Sequence, residues 1–256
     1  LKKFGITAAT KTPPGGVIAR LPGSQEPSGL LMETAFIPIF TKLPIPPLDR
    51  LLELLDQGQS VYPAAGITTA QEGATSAGAY KLLRAAADRG LLDIDVISYP
   101  LFQEFEAATG RKTPFTERDY TGRLRIGGVK LLTDGSPQGR TAYFSTPYRN
   151  GGPAGQKNWR GEPTQPQAEL NAMVKLAYDN EAQVLVHCNG DAAIDTLLEA
   201  HRYAAADDLA KDRRTIGIHS QFIRPDQLQR YADWKITPSF FTVHTFYFGQ
   251  THIANR

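Results

Sequence analysis

The sequence predicts an α/β fold of alternating parallel strands and helices, arranged as an incomplete (β/α)8 TIM-barrel of about six strands with a small N-terminal hairpin. From residue 66 onward, short apolar runs alternate with longer stretches that place apolar residues at three-and-four spacing, the pattern of successive βαβ units. No Gly-rich phosphate loop follows any of the short runs, which favours the barrel over an open nucleotide-binding sheet. With 256 residues, 41% of them hydrophobic, the chain has enough apolar material for one large core.

Residues 1–50 form the first expected unit: two short strands around a Gly and Pro turn (GGVIAR, LPGSQEPSG, LLMETAF), then a Pro-rich linker, KLPIPPLDR. Residues 51–256 form the second, the partial barrel, with strands expected at 66–71, 94–99, 126–132, 183–187, 215–219 and 237–243. Helices are expected between them at 77–89, 102–109, 167–180, 192–206 and 225–234. The irregular stretch 134–166 carries Tyr143, Phe144, Tyr148 and Trp159 and is too long for an idle connection. Because it follows a strand, on a barrel it hangs over the C-terminal face, where its aromatics either line a pocket or pack the loop down. The chain starts at Leu1 and ends at Arg256 after GQTHIANR, with no terminating helix expected, and is read as a fragment.

Composition excludes several classes of partner. Lys plus Arg number 28 against 26 for Asp plus Glu, so there is no charge excess to track nucleic acid or an anionic membrane. No apolar run approaches the roughly 20 residues of a membrane span, and LKKFGITAATKTPPGG lacks a signal peptide's apolar centre. The single cysteine, Cys188, cannot form a disulfide within the chain, and a reducing, cytoplasmic location is expected. A small-molecule ligand is the expected partner, along with self-association into a homo-oligomer.

Three residues stand out chemically. His187 and His219 each close an apolar strand pattern, VLVH and IGIH, which puts both imidazoles at the C-terminal rim of neighbouring strands. Strands lie roughly 4.8 Å apart, so two such rings can share a divalent ion, although each alone also fits a hydrogen-bonded core histidine. Lys130 sits inside the apolar GGVKLL. A buried ammonium there needs either an ion pair, with Asp134 or Glu72, or a lowered pKa that frees the amine to react with carbon dioxide and form an anionic carbamate. Asp191 and Asn189 can orient His187 or touch substrate, with capping of the following helix as the other reading of Asp191, and Asp134 lies just past Lys130 as a carboxylate able to fix ligand geometry. His244, in FFTVHTFYFG, can bind substrate or stabilise an oxyanion, whereas His201 and His252 are expected at the surface.

The segments KLLTDGSPQGRTAYFSTPY, VLVHCNGDAAIDTLLEA and RTIGIHSQFIRPDQLQRYADWKITPSFFTVHTFYFG resemble the amidohydrolase superfamily, specifically its YtcJ-like branch. PPGGVIARLPGSQEPSGLLMETA and GITTAQEG resemble it as well, so the likeness covers nearly the whole chain. The resemblance implies a metal-dependent hydrolase barrel with one or two divalent ions, zinc above all, in which Lys130 matches a lysine that can be carboxylated and His187 and His219 match metal ligands. It implies attack of metal-activated hydroxide on a non-peptide amide; His244, Asp134 and Asp191 are candidate catalytic residues on their own positions in the sequence. The family's HxH pair and its final Asp have no match here, so the chain is expected to supply strands two to seven and to be inactive unaided. The alternative is a non-catalytic barrel fragment with a structural or binding role.

Overall fold

The computed structural model describes residues 1–13, 16–40 and 42–256. Pro14, Gly15 and Thr41, which fall in the expected hairpin and linker region, lie outside the described residues. Strands β1 (Gly16–Arg20) and β2 (Pro27–Glu33) pair antiparallel, with Val17 opposite Met32. Helices α1 (Ile37–Phe40), α2 (Leu48–Gln59) and α3 (Val61–Ala64) follow. The sequence reading has no counterpart for α2, because the Pro-rich run hides its start; its leucines nevertheless recur at helical spacing, and Leu52 is buried.

The α/β part then runs β3 (Thr69–Thr75), α4 (Ala77–Asp88), β4 (Asp95–Pro100), α5 (Phe105–Thr109), β5 (Leu124–Ile126) and β6 (Val129–Leu132). It continues with α6 (Gln167–Asp179), β7 (Val184–Cys188), α7 (Asp191–Ala204), β8 (Ile216–His219), α8 (Pro225–Asp233), β9 (Thr237–Phe240) and α9 (Val243–Asn255). All neighbouring strands from β3 onward are parallel, in two sheets ordered β3-β4-β5 and β6-β7-β8-β9. Among the described residues an isolated bridge between Leu101 and Lys130 connects the two sheets. Ser76 caps α4 by accepting from the Ala79 N–H at 3.2 Å, and α8 starts on Pro225, whose fixed φ suits a first turn.

Two expectations need correction. The strand expected at 126–132 is two strands, β5 and β6, so the parallel strands number seven among the described residues. The break is Gly127–Gly128. The Gly127 N–H still donates to Ser98 of β4 at 2.8 Å, whereas the Val129 N–H donates to Gln183, just before β7, at 2.9 Å. Only glycines permit this change of partner: Gly128 has φ 148°, its Cβ would strike the Gln183 carbonyl, and a Cβ on Gly127 would strike the Tyr99 ring. The second correction lies at the end of the chain. Residues 241–243, expected as strand on their aromatic and β-branched character, leave it at Phe240, and α9 occupies 243–255. That helix is held by bonds from the Arg149 N–H to the Asn255 carbonyl (3.0 Å) and from Asn150 Nδ2 to the Ala254 carbonyl (2.9 Å).

The main core lies between the sheet and its helices. Val129, Leu131, Val184, Val186 and Cys188 point to one face and pack with Ala193, Ile194 and Leu197 of α7 and Val174 of α6. Because side chains alternate along a strand, Lys130, Leu185 and His187 face the opposite side. We expect Gly128→Ala to destabilise the chain by roughly 3 kcal/mol through overpacking at a forbidden φ. Gly58→Ala, in exposed α2 with open space around it, should instead stabilise by about 0.5–1 kcal/mol. Urea denaturation of both variants measures the contrast.

Candidate functional site

Lys130 occupies the second position of β6, in register with Leu185 of β7, and His187 lies two residues further along β7 on the same face. His219 would not join them by pleat alone. It is in register with Cys188, whose side chain points into the helix-covered core, so alternation would send the ring to that side. Instead His219 has φ 70° and Ser220 φ 42°, left-handed values that take the chain out of the strand. The result is a ring centroid 4.8 Å from that of His187, the planes crossing at 80°. Two consecutive non-Gly residues in this region carry a backbone cost of order 1–3 kcal/mol each, met here to bring two imidazoles together.

Lys130 is 5% exposed, and among the described residues no carboxylate forms an ion pair with it. Asp134 points elsewhere and Glu72 is exposed, accepting from the Ala74 N–H, so the expected ion pair does not form. Burial lowers the Lys130 amine to about pKa 8. Burial, with the neighbouring His187, Lys130 and His244, lowers His219 to about 4, so its imidazole is neutral at pH 7.

Asp134 is the centre of a network beneath His187. Its Oδ1 accepts from the Asn189 N–H at 3.0 Å, and its Oδ2 accepts from the Tyr143 N–H (3.0 Å) and the Gly190 N–H (2.8 Å). His187 Nε2 lies 3.3 Å from Asp134 Oδ1, 3.0 Å from the Gly135 carbonyl and 3.1 Å from Asn189 Nδ2. An Nε2–H aimed at a carbonyl and a carboxylate leaves the Nδ1 lone pair free, the arrangement that orients metal-binding histidines. Asn189 Nδ2 also donates to the Gly135 carbonyl at 2.8 Å, while its buried Oδ1 has no partner among the described residues.

The other candidates divide between this cluster and the scaffold. His244 is 7% exposed, lies on α9 and stacks parallel to His219 with centroids 6.3 Å apart; its buried Nδ1 has no partner among the described residues, and burial lowers its pKa. Asp191 accepts from the N–H and Oγ–H of Ser145 and from Arg224, which also pairs with Asp195 and Asp226. Burial pushes the Asp191 carboxyl up, but these hydrogen bonds outweigh it and hold the group below its ordinary value. The structure therefore ties Asp191 to the 134–166 loop and α8 rather than to His187 or His219.

His201 and His252, both expected at the surface, are buried at 1% and 8% exposure. His201 bonds the Tyr178 hydroxyl (2.8 Å) and the Leu209 carbonyl (3.1 Å) and stacks on Trp234, a scaffold role. His252 packs edge-on against Phe222, 5.9 Å from His244, and neither ring nitrogen has a hydrogen-bond partner among the described residues. Its burial was legible only as an i, i+8 repeat with His244, once residues 243–255 are known to be a helix. The loop aromatics are packing groups: Phe144 and Tyr148 are buried together with Ala142, and Trp159 Nε1 donates to the Arg140 carbonyl.

Two predictions follow from these surroundings. Asp134→Asn should cost nearly as much as Asp134→Ala, roughly 3 kcal/mol by urea denaturation, because both carboxylate oxygens face N–H groups and either orientation of the amide opposes donor to donor. For Lys130 the folded value of about 8 lies below the free value of 10.5, so the unfolded chain binds more protons between them and stability rises with pH across that window. The burden is full below pH 8 and gone above 10.5. Lys130→Met should therefore stabilise by on the order of 2–3 kcal/mol at pH 7 in bicarbonate-free buffer, with the gain vanishing near pH 10.5.

Comparison with known proteins places this arrangement. The chain is 26% identical over 253 residues to Protein LONG AFTER FAR-RED 3 of Arabidopsis thaliana, covering 93% of this chain and 42% of that protein. It is 24% identical over 248 residues to the putative amidohydrolase YtcJ of Bacillus subtilis, covering 91% of this chain and 42% of the relative. The chain thus spans about two-fifths of the length of these curated relatives. An uncharacterized metal-dependent hydrolase from Pyrococcus furiosus superposes with TM-score 0.70 at 23% identity over 99% of this chain and 49% of that one, a likeness of fold. The sequence model of the amidohydrolase family matches residues 1–256 without remainder, and the chain belongs to that family.

Proposed function

We propose that this chain carries part of the metal site of a hydrolase that cleaves non-peptide carbon–nitrogen bonds in small amide-type molecules. In this reading the seven parallel strands are an arc of a (β/α)8 barrel, with residues 1–50 as a flap and 51–256 as the barrel part. The observation that carries it is the left-handed turn at His219, which brings its neutral imidazole onto the His187 ring at 4.8 Å beside a buried lysine that has no carboxylate partner among the described residues.

The residues fit a divalent ion by donor chemistry. Among the described residues no three His, Cys, Asp or Glu side chains are gathered tightly enough to hold one, so the third donor beside His187 and His219 falls to Lys130 as its carbamate. The lowered amine pKa favours that adduct, since the neutral form is the one that reacts with carbon dioxide. Zinc suits two imidazoles and an anionic oxygen. When bound, such an ion supplies Lewis acidity and makes a water nucleophile available near neutral pH. The chain's own groups act around it: Asp134 and the Gly135 carbonyl hold His187 in one tautomer, and His244 offers an N–H to negative charge developing on a carbonyl oxygen. Asp191 contributes by fixing the loop that carries Ser145.

That no three His, Cys, Asp or Glu side chains are gathered tightly enough to hold an ion among the described residues also fits a second reading, a non-catalytic fragment with a structural or binding role only. Elemental analysis and hydrolysis assays on the chain and on any longer product of its gene separate the two. The hydrolase reading expects bound zinc, a carbamate resonance from labelled bicarbonate that disappears in Lys130→Met, and hydrolysis within a panel of amides, formamides and cyclic amides. His187→Ala and His219→Ala should each weaken metal binding more than about tenfold. A fully metallated long product with no Lys130-dependent hydrolysis overturns the hydrolase reading and leaves the non-catalytic role, and so does the lack of metal in both forms.

A further inference from the structure

The N-terminal hairpin reaches the histidine cluster through one side chain. Glu33, the last residue of β2, has φ 52°, a left-handed value that turns it off the strand. Its Oε1 accepts from Thr141 Oγ1 at 2.9 Å, across 108 positions of sequence. The Thr141 hydroxyl oxygen in turn accepts from the Ser136 N–H at 2.9 Å; the Thr141 N–H donates to the Ser136 carbonyl at 3.0 Å, and the Gly135 N–H donates to the Thr141 carbonyl at 3.2 Å. These bonds close the 135–141 turn, and the carbonyl of Gly135 is the group presented to His187 Nε2 at 3.0 Å. The packing is close: a Cβ on Gly135 would lie 2.2 Å from Thr141 Oγ1 and 2.9 Å from Glu33 Oε1, and one on Gly139 would lie 3.0 Å from the Met32 side chain of the same hairpin.

We propose that Glu33 is a positioning residue for His187: by holding Thr141 it fixes the Gly135 carbonyl, and the carbonyl selects the Nε2–H tautomer and ring orientation of His187. The hairpin is then a working part of the site and not only an ornament on the sheet edge. The energetic logic is that of an outer-shell partner, whose loss typically weakens metal affinity 10- to 100-fold without touching the ligand itself. For a group two hydrogen bonds removed, the lower end of that range is expected. The metal part of this inference rests on the proposed function, whereas the tautomer part does not.

The test uses the 256-residue chain with histidines labelled in the ring nitrogens, free of metal, and reads the His187 tautomer from long-range nitrogen–proton correlations. Wild type should show the Nε2–H form. Glu33→Ala and Thr141→Val should shift His187 toward a tautomer mixture, while Glu33→Gln and Thr141→Ser, which keep an acceptor and a hydroxyl, should retain it. Cobalt(II) titration followed by visible absorption should then show about a tenfold weaker affinity in Glu33→Ala than in wild type. An unchanged His187 signal in Glu33→Ala and Thr141→Val overturns the proposal, as does a lowered melting temperature in Glu33→Ala with the tautomer intact, which marks a merely structural contact. If wild type binds no cobalt but Glu33→Ala still moves the tautomer, the positioning role stands and the metal reading fails.

Discussion

The buried carboxylate of Asp134 is the interaction on which the organisation of the strand tips depends. It follows β6 directly, yet its acceptors are filled by N–H groups of the loop (Tyr143) and of the β7–α7 turn (Asn189, Gly190). One anion therefore joins three segments just past the end of the β6–β7 ladder. A carboxylate so enclosed is tolerable because charge-assisted bonds replace the water it has lost. The same group lies beside His187 Nε2, so the element that closes the backbone also sets the ring.

Around this anchor the chain accepts local costs on one face of the sheet while the other face is uniformly apolar. Residues on the helix side, such as Val184, Val186 and Leu131, are essentially without exposure and pack against α6 and α7. On the opposite side stand a buried lysine with no carboxylate partner among the described residues, two histidine rings in contact and left-handed backbone at His219 and Ser220. Each works against stability, and the packed face beneath supplies the surplus that permits them. Cys188 marks the divide. It adjoins His187 in sequence but points into the core, where it contacts Tyr231 and burial pushes its thiol up to about 12, so it has no part in the histidine cluster.

The N-terminal hairpin and the 134–166 loop belong to the same construction. The loop is pinned from below by Asp134, from the side by Asp191 through Ser145, and from above by Glu33 through Thr141. Its aromatic residues fill the interior of the loop itself, with Phe144 in contact with Phe222 and Tyr148 bonded to the Ala142 carbonyl. A segment held at three points by polar bonds and filled by its own rings is a rigid support for the groups above it, which is the property a preorganised site requires.

Sequence by itself determined the alternation of strand and helix, the placement of Lys130, His187 and His219 at or near strand ends, and the family, because apolar periodicity and motif spacing are local properties. It also singled out Asn189 as a partner for His187 and Asp134 as a carboxylate just past Lys130, whereas the contact of Asp134 with His187 came from the structure. Only the tertiary structure decided that the run 126–132 changes sheet partner at Gly127–Gly128, that 243–255 is a helix, and that His252 is buried. Aromatic and β-branched residues favour strands, and at 243–255 the bonds to the 134–166 loop accompany a helix that overrides that local preference. Tertiary structure alone also turned His219 toward His187, against the parity of its strand, and linked Glu33 to Thr141 over 108 residues. Strand register and loop closure depend on where distant backbone groups find partners, and no pattern within a short window of sequence encodes that.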